Sequence, residues 1–338
     1  CSLQANTTGG SNTSVGAFSM KLNTTGAANV AVGTQALNVN TEGASNVAVG
    51  YNALCNNTTA SNNTSVGREA LTNNTTGAGN SAMGYRALRN NTTAGTNTAI
   101  GFQALKNNTT ALSNTAIGYN TMPSTTTGAT NIAIGNDAMT ENTTGCLNTV
   151  VGVGALMCNT TGCENIAMGG QTMRFNQTGN GNTAIGRRAL CTSTTGYNNA
   201  TVGIDALGKT TTGHSNTSIG YGALNSNTTG TCNVGIGTVS GAEGAMINIT
   251  SESNRGVFGH NSITNAYVKV AWTVTSDARD KMNFGTVPHG LDFVNQLNPV
   301  SFQFKKSRTS DTPHGDLRYG FKAQDIMALE GDNPVIID

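Results

Sequence analysis

Ser276 and Lys281 stand five residues apart in the run Ser276-Asp277-Ala278-Arg279-Asp280-Lys281. A serine hydroxyl is a poor nucleophile until a base takes its proton, and a lysine amine can be that base once burial lowers its pKa. At this spacing a turn or a neighbouring chain must bring the two together. Asp277 and Arg279 could fix that turn or pair across subunits. On residue types alone, an ordinary surface pair is the commoner reading.

The remaining reactive side chains are scattered or periodic. The seven cysteines (Cys1, Cys55, Cys146, Cys158, Cys163, Cys191 and Cys232) contain no metal-ligand spacing. His214, His260, His289 and His314 do not cluster with them, so no metal and no other cofactor is expected. Only six acidic residues precede position 238 and none recurs in phase, which argues against a glycan-hydrolysing carboxylate pair. A net charge of +1 offers no footprint for nucleic acid. No run of about 20 apolar residues is present, so no membrane insertion through a helix is expected.

The elements that must carry these residues come from a repeat. Glycine recurs at every seventeenth position from Gly16 to Gly237, fourteen times without an insertion. Four residues before each glycine stands Asn, and directly before it Val, Ile or Met. Leu or Met follows four residues later in thirteen of the fourteen units, and Thr-Thr-Gly or a variant closes most of them. Asn63-Thr64-Ser65-Val66-Gly67 alternates as a strand does, with Thr64 and Val66 on one face and Ser65 on the other. Seventeen residues bury no core alone, so units must stack, at about 4.8 Å each, into a rod of roughly 65 Å. Asn and Thr columns could then hydrogen-bond along it. Helices are disfavoured by Asn-Thr and Thr-Thr-Gly in every unit.

Three columns carry further expectations. Ala31, Ala48, Ala82, Ala99, Ala116, Ala133, Ala167 and Ala184 lie opposite the Val/Ile/Met column, with Ser at three other units. Read as an outward face held small, they predict a homotrimer packed through that column; the alternative is that small residues merely suit a tight solenoid. Tyr51, Tyr85, Phe102 and Tyr119 share one phase. Such a stripe could stack on sugar rings of a host receptor, or it could be packing between rungs. Cys146 and Cys163 occupy one phase of adjacent units and are expected to be neighbours, with free thiols. The Asn-x-Thr sequons, including Asn23 and Asn74, read as ladder residues in preference to glycosylation acceptors.

Past residue 237 the composition changes. Residues 1–237 hold 9 Lys/Arg and 6 Asp/Glu, whereas the last 101 hold 9 and 11. Strands are expected at Gly256–Gly259 and Tyr267–Val274. Leu291, Val294 and Leu297 share a helical face; Val300, Phe302 and Phe304 alternate as a strand; a second strand near Arg318 leads into a helix.

The repeat resembles the head repeats of trimeric autotransporter adhesins and the shafts of phage tail fibres. Ser-Asp-x-Arg-x-Lys, then Leu-Asn-Pro-Val-Ser-Phe and Arg-Tyr-Gly-Phe-x-Ala-Gln-Asp, resemble the intramolecular chaperone auto-processing domain of phage tailspikes and tail fibres. The stretch from Asn265 to Gly290 looks most like virion proteins of cyanophages. The resemblance implies a mainly β chain: a trimeric β-solenoid or β-roll of fourteen 17-residue repeats (1–240), a β-rich connector (241–275) and a small α+β chaperone domain (276–338). It implies that the domain trimerises the fibre and then cuts itself off between Thr275 and Ser276. Ser276 would be the nucleophile, Lys281 the base, and Asp277 and Arg279 their support. The implied partners are the chain's own copies, other virion tail proteins and a host receptor, in a virion fibre made in the host cytoplasm. The family continues beyond the equivalent of Asn333–Asp338 into a clasping helix, so truncation is expected, as is an upstream extension. A bacterial trimeric adhesin is the alternative, and an ice-binding Thr array a remote one.

Overall fold

The computed structural model describes residues 2–245, 247–264, 291–305 and 312–330. The chain divides into two compact units, Cys1–His260 and Asn261–Asp338.

The first unit is a parallel β-solenoid with one rung per repeat. Three-residue strands recur every 17 residues, from β1 (Thr13–Val15) and β2 (Val30–Val32) to β14 (Val234–Ile236). Each pairs in parallel with the next without slippage, Thr13 opposite Val30 and Ala99 opposite Ala116. A further strand, β15 (Gly256–Phe258), joins after a longer rung of 22 residues, Val234 standing opposite Gly256. The stack thus runs past the last repeat glycine, in one sheet of 15 strands taken in sequence order.

The strands are short because each rung must turn corners within 17 residues. Gly67 closes its strand at φ +133, and a Cβ there would lie 2.5 Å from the carbonyl oxygen of Gly84 on the next rung. Neither the conformation nor the space admits a side chain, which accounts for the glycine in every unit. The chain then turns through left-handed residues, Glu69 at φ 59 and Leu71 at φ 49. Holding Leu in that region costs about 1 kcal/mol. Complete burial of the Leu71 side chain offsets it by roughly 2 kcal/mol. Ala70 and Leu71 belong to this turn and not to a helix.

The core reverses one expectation. The Ala column faces inward: Ala31, Ala48, Ala99 and Ala116 are 0% exposed and pack in one cluster with Leu37, Leu54 and Leu105. The Val/Ile/Met column points outward, with Val32 and Ile100 at 37% exposure and Val15 at 57%. Trimer packing through the Ala column is therefore excluded, because those residues are already inside their own rung. A 17-residue turn is narrow, and its interior pairs one Leu or Met with a mostly small strand residue, the larger Val150 and Thr201 being buried in two rungs. At Gly235 the Leu224 side chain leans into the vacated space, and a Cβ there would meet its Cγ at 2.5 Å. Where Ser replaces Ala, its hydroxyl finds a partner, as Ser65 Oγ donates to the Ala70 carbonyl at 2.9 Å.

Two buried Asn ladders close the interior. In the first, Asn46 N–H donates to Asn29 Oδ1 at 2.9 Å and Asn46 Nδ2 to the Ala60 carbonyl at 2.9 Å. In the second, Asn40 Nδ2 donates to Asn23 Oδ1 at 2.7 Å and Asn57 Nδ2 to Asn40 Oδ1 at 2.8 Å. Thr side chains add a third column, Thr75 Oγ1 donating to the Thr92 carbonyl at 3.1 Å. Asn23 and Asn74 are fully buried in the second ladder, so in the folded chain neither sequon is open to a glycan.

In the second unit, helix α1 (Leu291–Gln296) precedes an antiparallel pair, β16 (Val300–Lys305) and β17 (Pro313–Gly320), and helix α2 (Ala323–Glu330) follows. Val300 pairs with Gly320 and Phe302 with Arg318, before a register shift between Phe302 and Phe304. The helix expected from Leu291 forms but stops at Gln296, one residue short of Leu297, and the strands expected at Val300–Phe304 and near Arg318 and the helix that follows are present.

Candidate functional site

Two sites were expected from the sequence, and only one falls on described residues. Thr275, Ser276, Asp277, Arg279 and Lys281 lie outside them, as does the strand expected at Tyr267–Val274.

The aromatic stripe is fully described. Tyr51, Tyr85, Phe102 and Tyr119 each follow a rung glycine, so the solenoid stacks them in a column. Tyr85 and Phe102 stack with ring centroids 5.2 Å apart, and Phe102 and Tyr119 with centroids 5.0 Å apart at an interplanar angle of 7°. Arg68 occupies the missing place, its guanidinium carbon 5.8 Å from the Tyr51 ring centre and 5.9 Å from that of Tyr85. The column is thus a continuous run of ring, cation and three rings. The packing reading of the stripe holds between Tyr85 and Tyr119. Phe102 has a ring on each face and cannot offer either to a sugar. Tyr51 and Tyr119 are 47% and 55% exposed, and the column presents ring edges along its length.

Beside the column lies a charge cluster that the sequence reading missed. Glu69 accepts a hydrogen bond from Arg86 Nε at 2.8 Å and forms ion pairs with Arg89 Nε at 3.1 Å and Arg68 Nε at 3.4 Å. The hydrogen bond from Arg86 holds the Glu69 carboxyl below its ordinary range, against the opposing effect of burial, with the charges of Arg86, Arg89 and Arg68 helping. Arg86 also lies over the Tyr85 ring at 4.8 Å. The signal was present: Glu69 and Arg86 are 17 residues apart, hence stacked, and of opposite sign.

The described second-unit elements, from α1 through β16 and β17 to α2, lie within the stretch that carries the three C-terminal motifs. Residues 276–333 match the family described as chaperone of endosialidase. The match takes in Ser276, Lys281 and all four of those elements. A parallel solenoid followed by this chaperone segment fits a tailspike- or endosialidase-like fibre. Neither the curated proteins nor the solved structures gave a match. Among the described residues no helix is long and apolar enough to cross a membrane.

Proposed function

We propose that the chain is a trimeric phage fibre shaft for host attachment, assembled by a C-terminal chaperone that releases itself by cutting before Ser276. The match of residues 276–333 to the chaperone family, directly after a repeat solenoid, carries this reading. In the cut, the Ser276 hydroxyl attacks the Thr275 carbonyl while Lys281 takes its proton. The amide becomes an ester, the Ser276 nitrogen leaves as an amine, and water opens the ester. Asp277 and Arg279 hold the turn. Lys281 must be neutral to act, so activity should wait for the desolvation that trimer packing brings. On a denaturing gel, wild type should yield a short C-terminal piece, while Ser276→Ala and Lys281→Ala stay full length. Three identical full-length bands would leave the domain a trimer nucleus only.

The outward Val/Ile/Met column is the surface we assign to the trimer contact. It runs the length of the sheet, and at about 60 Å² per side chain fourteen rungs offer roughly 800 Å², one partner's share of a stable interface. Leu317 and Tyr319 of the second unit are exposed as well, Tyr319 to 80%. Ile100→Glu with Ile117→Glu should give monomers with an unchanged far-UV spectrum; intact trimers would refute the assignment. Host receptor contact, with a glycan as candidate ligand, falls to the stripe of Tyr51, Tyr85, Phe102 and Tyr119. Its ends are the places for stacking, so Tyr119→Ala should lower adsorption of the fibre to host cells. Other tail proteins would hold the shaft in the virion.

A further inference from the structure

Cys146 and Cys163 lie in a corner column of the solenoid, in another phase of the repeat from the aromatic stripe. Cys146 precedes strand β9 (Thr149–Val151) and Cys163 precedes β10 (Ile166–Met168), which pair residue for residue. The two sulfurs are 2.7 Å apart, and the Cys146 N–H donates to Cys163 Sγ at 3.0 Å. Glu164 N–H donates to the Cys146 carbonyl at 3.0 Å, which fixes the adjacency through the backbone. Successive rungs separate such residues by about 4.8 Å at Cα, inside the range of roughly 4.4–6.8 Å that a disulfide spans. Both side chains are half-buried, so a small reagent reaches them. Cys55, Cys158, Cys191 and Cys232 do not share a phase on neighbouring rungs, and burial pushes the thiols of Cys55, Cys158 and Cys191 up.

We infer that Cys146 and Cys163 form a reversible disulfide staple between successive rungs, made by exchange with a small-molecule disulfide such as oxidised glutathione. The Cys163 thiolate attacks one sulfur of glutathione disulfide and releases a glutathione thiolate. The Cys146 thiolate then attacks the protein-side sulfur of the mixed disulfide and releases a second. Two protein thiols are oxidised, one glutathione disulfide is reduced, and two protons reach solvent or the leaving thiolates. The order follows from the contact between the sulfurs. The hydrogen bond with Cys163 first, and burial second, push the Cys146 thiol up to about 11, and the Cys146 N–H already points at Cys163 Sγ. A reducing glutathione pool holds the staple open, and transfer to an oxidising medium closes it.

The test uses the whole chain, incubated with oxidised glutathione, alkylated and digested without reductant. A peptide joining Cys146 to Cys163 should dominate the disulfides, and its closure should make a ring that raises the unfolding temperature by roughly 5 °C. Cys163→Ser should leave Cys146 free or as a lasting glutathione adduct and abolish the thermal shift. Serine fits that column, since Ser61 already stands there and accepts from Ala44 N–H at 3.0 Å. If both wild-type thiols stay alkylatable, or each carries its own glutathione, the staple does not form and the inference fails.

Discussion

Asn46 bonds to three successive levels of the stack. It takes Oδ1 of Asn29 from the rung before, donates to the Ala60 carbonyl, and its own Oδ1 accepts Asn63 N–H at 3.0 Å. All of this is buried, so Asn46→Ala orphans the Asn63 donor and leaves the Ala60 carbonyl with Asn57 Nδ2 alone, at 2.9 Å. At about 1–3 kcal/mol for a stranded group, the variant should lose roughly 2 kcal/mol in urea unfolding. Glu69 supplies a prediction in pH. Its carboxyl is held below the ordinary range by Arg86 before all else, so its stabilising effect is complete above the unfolded carboxylate pKa. That effect is lost as pH falls through the lower folded value. Wild type should melt above Glu69→Gln at pH 7, and the gap should close on acidification toward pH 3. A gap that persists in acid would mean that shape and not charge holds the cluster.

At the scale of the rung, the repeat had already fixed much of the fold. The Asn and Gly columns imposed both the period and the register, because only a stack offset by 17 residues lets Asn29 meet Asn46 and Gly67 meet Gly84. Which face points inward was not legible. Ala99 and Ile100 are both apolar, and only the width of the closed rung, set by Leu105 and its counterparts, decides that Ala fits inside. The aromatic phase was readable, but not that Tyr85 and Tyr119 would occupy both faces of Phe102. The proposal for Ser276 and Lys281 rests on their motif alone, because five residues of spacing say nothing of how the chain turns. The period makes a sharper prediction. Deleting 68–84, one whole rung, should leave a folded, shorter solenoid with circular dichroism per residue unchanged. Deleting nine residues from the same region should not, because Gly would then face a strand residue. Gly67→Ala should cost about 3 kcal/mol by combining a forbidden φ with a backbone clash.

At the scale of the whole solenoid, each rung touches only its neighbours, and every ladder bond between rungs runs along the stacking direction. Tension applied along that direction therefore loads the rung contacts in series, like the rungs of a zip. A single molecule held at both ends of the first unit should lengthen in a sawtooth and not in one rupture. Each step releases 17 residues of chain, about 60 Å when extended, less the 4.8 Å that a rung occupies, hence roughly 55 Å. The 22-residue rung between β14 and β15 should appear as one longer step of roughly 70 Å. Under oxidising conditions a Cys146–Cys163 bond would hide one rung's length from the pulling force, and the trace should lose one tooth.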